Sequence, residues 1–78
     1  MKGPRKRSVV IAGHATSLSL EDEFWDELKE MARARRLSLA ALLAEIDAAR
    51  GESSLSSAAR LFVLAEVKRG RGKEQGGA

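Results

Sequence analysis

Residues Thr16-Ser17-Leu18-Ser19-Leu20 alternate small polar and apolar side chains, which is the period-two mark of a strand with one buried face. A strand on its own leaves its backbone N–H and C=O groups without a ladder. Something must therefore pair with it. Two partners are open: Val9–Ala12 folded back onto it, or the same strand of a second copy, antiparallel across a two-fold axis. The surrounding stretch Ser8–Leu20 is rich in Val, Ile, Ser and Thr, and its β-branched residues favour extended structure. Gly13-His14 interrupts it and reads either as a bulge or as a two-residue turn with glycine first.

Size sharpens the question. A chain of 78 residues makes one domain, and so small a domain buries too little surface for a comfortable core of its own. Disulfides are ruled out by the absence of cysteine, and one histidine is too few for a structural metal site. No metal or other cofactor is predicted. Association with a second copy is the remedy left, so a homodimer is expected.

The rest of the chain has helical periodicity. Phe24, Leu28, Met31 and Ala32 recur at i, i+4, i+7 and i+8 with Trp25 widening the stripe, which predicts an amphipathic helix over 21–36. Acids open it (Glu21, Asp22, Glu23) and Arg33, Arg35 and Arg36 close it, both matched to the helix dipole. Ser38 is a good N-cap for a second helix, Leu39–Arg50, with Leu39, Leu42, Leu43 and Ile46 on one face and Gly51 after its end. Ser53 or Ser54 caps a third helix reaching Arg69, with Leu55, Ala59, Phe62, Val63 and Val67 as its stripe. Residues 1–7 read as a flexible basic arm, 8–69 as the folded domain and 70–78 as a disordered glycine-rich tail. The fold class is mainly α with one N-terminal strand and a third, C-terminal helix.

Charge is unevenly spread. Residues 1–20 hold four bases and no acid, residues 21–52 nine acids and five bases, and residues 53–78 five bases and two acids. Basic ends around an acidic middle suit phosphate contacts, and equally suit two solvated tails. The longest strictly apolar run, Leu39–Ala44, is far short of the ~20 residues of a membrane span, and a cytoplasmic location is expected. Carboxylates on an exposed helix of so short a chain leave no room for an enclosed pocket, so an enzyme is not expected.

The series Gly13-His14-Ala15-Thr16-Ser17-Leu18-Ser19-Leu20-Glu21 running into Phe24-Trp25 resembles the ribbon–helix–helix family of DNA-binding proteins, in particular a subgroup of short stand-alone bacterial proteins. Leu55-Ser56-Ser57-Ala58-Ala59-Arg60 resembles that subgroup's extra C-terminal helix. The resemblance spans about two-thirds of the chain. It implies an intertwined homodimer whose strands form an intersubunit antiparallel β-ribbon lying in the major groove of double-stranded DNA, with two dimers side by side as an option.

Carried onto this sequence, the resemblance sets Ala15, Ser17 and Ser19 facing the bases. Leu18, Leu20, Phe24, Trp25, Leu28, Leu42 and Ile46 become the dimer core. Arg5, Lys6, Arg7, Ser38 and Leu39, with the amide of Ala40, become phosphate contacts. His14 either touches DNA or fixes the bend of the strand. One departure stands out. Operator-reading relatives present long donors on the ribbon, whereas alanine and two serines discriminate poorly among bases. The expected function is a transcriptional regulator, a repressor. The alternative is a ribbon–helix–helix dimer serving as a protein-interaction or antitoxin-like module that engages a protein partner.

Overall fold

A computed structural model describes residues 3–76 and their side-chain surroundings as far as Gly70. Two strands, β1 (Arg5–Ile11) and β2 (His14–Leu20), precede three helices, α1 (Asp22–Ala34), α2 (Leu39–Ala49) and α3 (Leu55–Gly76). The strands pair antiparallel, from Arg5 opposite Leu20 to Ile11 opposite His14. The missing partner of the alternating strand thus comes from the chain itself. The ladder expected between two subunits is closed here within one.

The turn is Ala12-Gly13, with φ of 52° and 80°. Two consecutive positive φ values define the tight turn whose twist matches that of paired strands. Glycine is second in it, not first, and His14 is already the first residue of β2. The bend is made at Ala12 and Gly13, and the His14 side chain is exposed beside it. Alanine is a poor occupant of the left-handed region, where asparagine sits more easily. Ala12→Asn is therefore expected to raise stability by about 1 kcal/mol, read as a higher midpoint in thermal unfolding. An unchanged or lower midpoint would show that the turn is not the one described.

The basic segment expected as a free arm is strand for most of its described length. Arg5, Lys6 and Arg7 belong to β1, because their backbones complete the ladder of Leu18–Leu20. Met1 and Lys2 lie outside the described residues. The helices begin and end close to where periodicity sets them. Glu21 is the N-cap of α1, and the end of α1 folds Arg36 to φ 59°. There Leu37 N–H donates to Ala32 O and Arg36 N–H to Arg33 O, the paired bonds that satisfy a helix's last carbonyls. Ser38 Oγ accepts from Ala41 N at 3.0 Å and Ser54 Oγ from Ser57 N at 3.1 Å, so both serines cap as expected. Gly51, at φ 61°, follows α2. The third helix continues to Gly76, beyond the Arg69 boundary. Once nucleated, a helix gains a hydrogen bond for each residue added, and this carries it through Gly70 and Gly72. Of the tail expected to be disordered, only 77–78 lie outside the described residues.

Strand β1 packs on α2, β2 packs on α3, and α1 packs on both α2 and α3. The core consists of Ile11, Leu18, Leu20, Leu28, Ala32, Leu42, Leu43, Ile46, Ala59 and Val63, with Phe24 and Trp25 partly buried against it. Five of the residues expected in a shared dimer core, Leu18, Leu20, Leu28, Leu42 and Ile46, are already covered within a single chain. The hairpin and α3 do the covering.

Candidate nucleic-acid interface

Pairing fixes which side chains share a face of the hairpin, because neighbours along a strand alternate and cross-strand partners agree. Arg5, Arg7, Val9 and Ile11 of β1 share the inner face with Thr16, Leu18 and Leu20 of β2. Lys6, Ser8 and Val10 share the outer face with Ser19, Ser17 and Ala15, their respective Cα partners. All six outer residues are exposed. The three base-facing positions expected from the resemblance therefore do lie together, and β1 adds three more. Lys6 supplies the long donor that β2 lacks.

The two arginines beside Lys6 have a different destination. Arg5 Nη1 lies 3.3 Å from Asp22 Oδ1. Arg7, only 14% exposed, pairs with the same carboxylate, donates to Leu20 O at 3.4 Å and stacks over the Trp25 ring at 4.7 Å. Its Nε is buried without an acceptor. Trp25 and Asp22 thus hold Arg7 as a tie between β1 and the start of α1. Arg5 is the more open of the two, at 60% exposure. Period two separates Lys6 from both neighbours, and that signal was present in the sequence once residues 5–7 are taken as strand.

The far end of β2 is tied to α3. Ser19 N–H donates to Ser56 Oγ at 2.9 Å, and Ser19 O accepts from Arg60 at 3.2 Å. Arg60 also reaches Glu21 at 3.0 Å. A hydrogen bond from its own backbone, then one from Arg60, holds the Glu21 carboxyl below its ordinary range. The contact is therefore complete at neutral pH and is lost only as acid protonates Glu21. Ser56 and Arg60 were not anticipated as positioning residues. Nothing local in the sequence points 37 and 41 residues back along the chain.

The acids of α1 divide by role. Glu21 and Asp22 neutralise arginines, while Glu23, Asp26, Glu27 and Glu30 face solvent, with Asp26 and Glu30 paired to Lys29 and Arg33 on their own helix. Arg35 leaves the expected basic cluster to pair with Glu66 at 2.7 Å and to stack on Phe62 at 4.9 Å. His14 stands exposed at the hairpin tip. Ser38 and Leu39 sit at the start of α2, Ser38 exposed and Leu39 half-buried.

No helix among the described residues is long and apolar enough to cross a membrane. Comparison with curated proteins and comparison with solved structures each return no match. A family model, described as the ribbon–helix–helix domain, matches residues 4–67. That span runs from just before β1 into α3, across both strands and all the core residues named above. The chain belongs to the ribbon–helix–helix domain family.

Proposed function

We propose that the chain is a DNA-binding transcriptional regulator, a cytoplasmic repressor working as paired copies, that lays the outer face of its hairpin in the major groove. The observation that carries this reading is Lys6 standing exposed opposite Ser19 on that face, while Arg5 and Arg7 are turned to the inner side. Paired strands lie about 5 Å apart, and a major groove about 12 Å wide admits such a two-stranded ribbon. The ribbon therefore needs no strand from a second copy in order to enter.

Each outer side chain has a chemistry for base edges. The Lys6 ammonium donates to guanine O6 and N7, the hydroxyls of Ser8, Ser17 and Ser19 accept or donate, and Ala15 and Val10 suit a thymine methyl. Arg5 reaches the backbone beside the ribbon. Ser38 and the first-turn amides of Leu39 and Ala40 offer the donors that bind phosphate at a helix start. Single ribbons touch few base pairs, so pairing of copies supplies the length of site that a regulator requires.

Selection of bound fragments from random double-stranded DNA, at two salt concentrations, tests the reading. A guanine-containing motif is expected to emerge, with overall recovery falling steeply at the higher salt as counterions are released. Recovery no better than a protein-free control, even at the lower salt, would remove DNA binding from the function.

A further inference from the structure

Ser19 turns both of its backbone groups to the third helix. Its N–H donates to Ser56 Oγ at 2.9 Å and its C=O accepts from Arg60 at 3.2 Å, and both residues belong to α3. In an antiparallel pair, residues alternate between bonding to the partner strand and turning both groups outward. Leu18 and Leu20 are therefore the residues bonded to Arg7 and Arg5, while Ser19 stands opposite Lys6 with its own groups pointing away from β1. One turn of α3 thus supplies at Ser19 what a third strand would supply. Ala15 and Ser17 turn the same way, and no hydrogen bond reaches their outward groups among the described residues. The clamp closes only the Ser19 end of this edge, and the rest stays open to a strand of a second copy.

We infer that Ser56 and Arg60 are positioning residues for the reading of DNA, holding Ser19 and its cross-strand neighbour Lys6 in place on the outer face before DNA arrives. Three elements meet at the clamp. Arg60 spans from Ser19 O to the Glu21 carboxylate at 3.0 Å, and Glu21 is the N-cap of α1. Ser56 precedes Arg60 by four residues, so the two reach the strand end from one face of the helix. Their base is firm, because Ala59 and Val63 of the same helix are buried in the core. Ser19 and Lys6 are directly opposite, with Cβ atoms about 5 Å apart, so a shift of the Ser19 backbone disturbs the pair. Groups held in place before binding lose less freedom on binding. Base-edge contacts need directed geometry, whereas attraction to phosphates does not. The clamp therefore acts on discrimination among sequences and leaves general affinity for DNA nearly unchanged.

This inference rests on the proposed reading of DNA, and its test separates the two. Amide hydrogen exchange of the full chain without DNA reads the clamp. Ser56→Ala is expected to speed exchange at Ser19 at least about tenfold, with the amides of Leu18 and Leu20, which face β1, unchanged. Fluorescence anisotropy on a selected duplex and a scrambled one reads the positioning. Ser56→Ala, which alters no charge, is expected to lower the ratio of the two affinities about twofold to tenfold, nearly all of it lost on the selected duplex. Ser56→Thr restores the hydroxyl and is expected to recover the ratio, and Arg60→Ala is expected to lower it as Ser56→Ala does. Val63→Ala, a core change on the same helix, is expected to lower the unfolding midpoint and keep the ratio. Unchanged exchange at Ser19, an unchanged ratio in both Ser56→Ala and Arg60→Ala, or an equal loss in Val63→Ala overturns the inference and leaves the DNA reading standing. A parent chain that does not tell the duplexes apart overturns the DNA reading and the inference together.

Discussion

Leu20→Ala is expected to remove about 2–5 kcal/mol of stability, the range seen when a buried leucine is cut to alanine and the space does not collapse. Leu20 is fully buried and is among the largest such side chains in the chain. It closes β2, sits opposite Arg5 in the ladder and lies one residue before the Glu21 cap. Small domains have total stabilities of roughly 5–15 kcal/mol, and short chains fall at the lower end. The substitution is therefore expected to unfold a large share of the molecules at ambient temperature. Urea unfolding followed by circular dichroism reads the loss. Val10→Ala, at a residue 60% exposed, is the comparison and is expected to change stability by no more than about 0.5 kcal/mol. Similar midpoints for the two variants would show that Leu20 is not a core residue.

That contrast was legible in the sequence alone. Helical stripes were readable because burial repeats at 3.6 residues, and Leu28, Ala32, Leu42, Ile46, Ala59 and Val63 are core where the periodicity puts them. Caps were readable because Ser38, Ser54 and Gly51 act on neighbours three residues away or fewer. The inward set of β2, Leu18 and Leu20, followed from strict alternation.

The first strand was half hidden. Val9 and Ile11 alternate with Ser8 and Val10 weakly, and the inner positions at the other end are Arg5 and Arg7, which resemble an unstructured basic arm. Those arginines are admitted to the inner face by Asp22 and Trp25, partners set by tertiary contact. Propensity around residues 5–7 does not encode such contacts. Charges on an edge strand also discourage unwanted pairing, so the feature that concealed β1 has a physical use. The turn was only partly legible, Gly13-His14 reading either as a bulge or as a turn with glycine first. With Ala12 also at positive φ, the pair Ala12-Gly13 closes the strands one step earlier, and nothing in an alanine signals that conformation.

The outer face follows from that placement. Had Arg5–Arg7 been a free arm, its three bases would act alike on any DNA, and the ribbon would offer nothing longer than serine. In the hairpin the three are sorted into different work. Arg7 is committed to Asp22, Leu20 O and the Trp25 ring. Arg5 shares Asp22 while remaining mostly exposed. Lys6 alone joins the serines.

The three substitutions to alanine are accordingly expected to differ in kind, as measured by fluorescence anisotropy on a selected duplex and a scrambled one at several salt concentrations. Lys6→Ala is expected to cost about 1–3 kcal/mol on the selected duplex, about fivefold to 150-fold in affinity, and much less on the scrambled one, because a lost base-edge donor removes discrimination. Arg5→Ala is expected to weaken both duplexes alike and to flatten the salt dependence by about 0.9 in logarithmic slope, the share of one phosphate. Arg7→Ala is expected to act first on folding, since it removes one of the partners of Asp22 and the cover of Trp25, and to lower the unfolding midpoint before it touches sequence preference. Equal loss on both duplexes for Lys6→Ala would return that lysine to the phosphates and leave the ribbon with hydroxyls and methyls alone. Strong discrimination retained after that loss would then come from the shape of the DNA, since serine and alanine choose only weakly among bases.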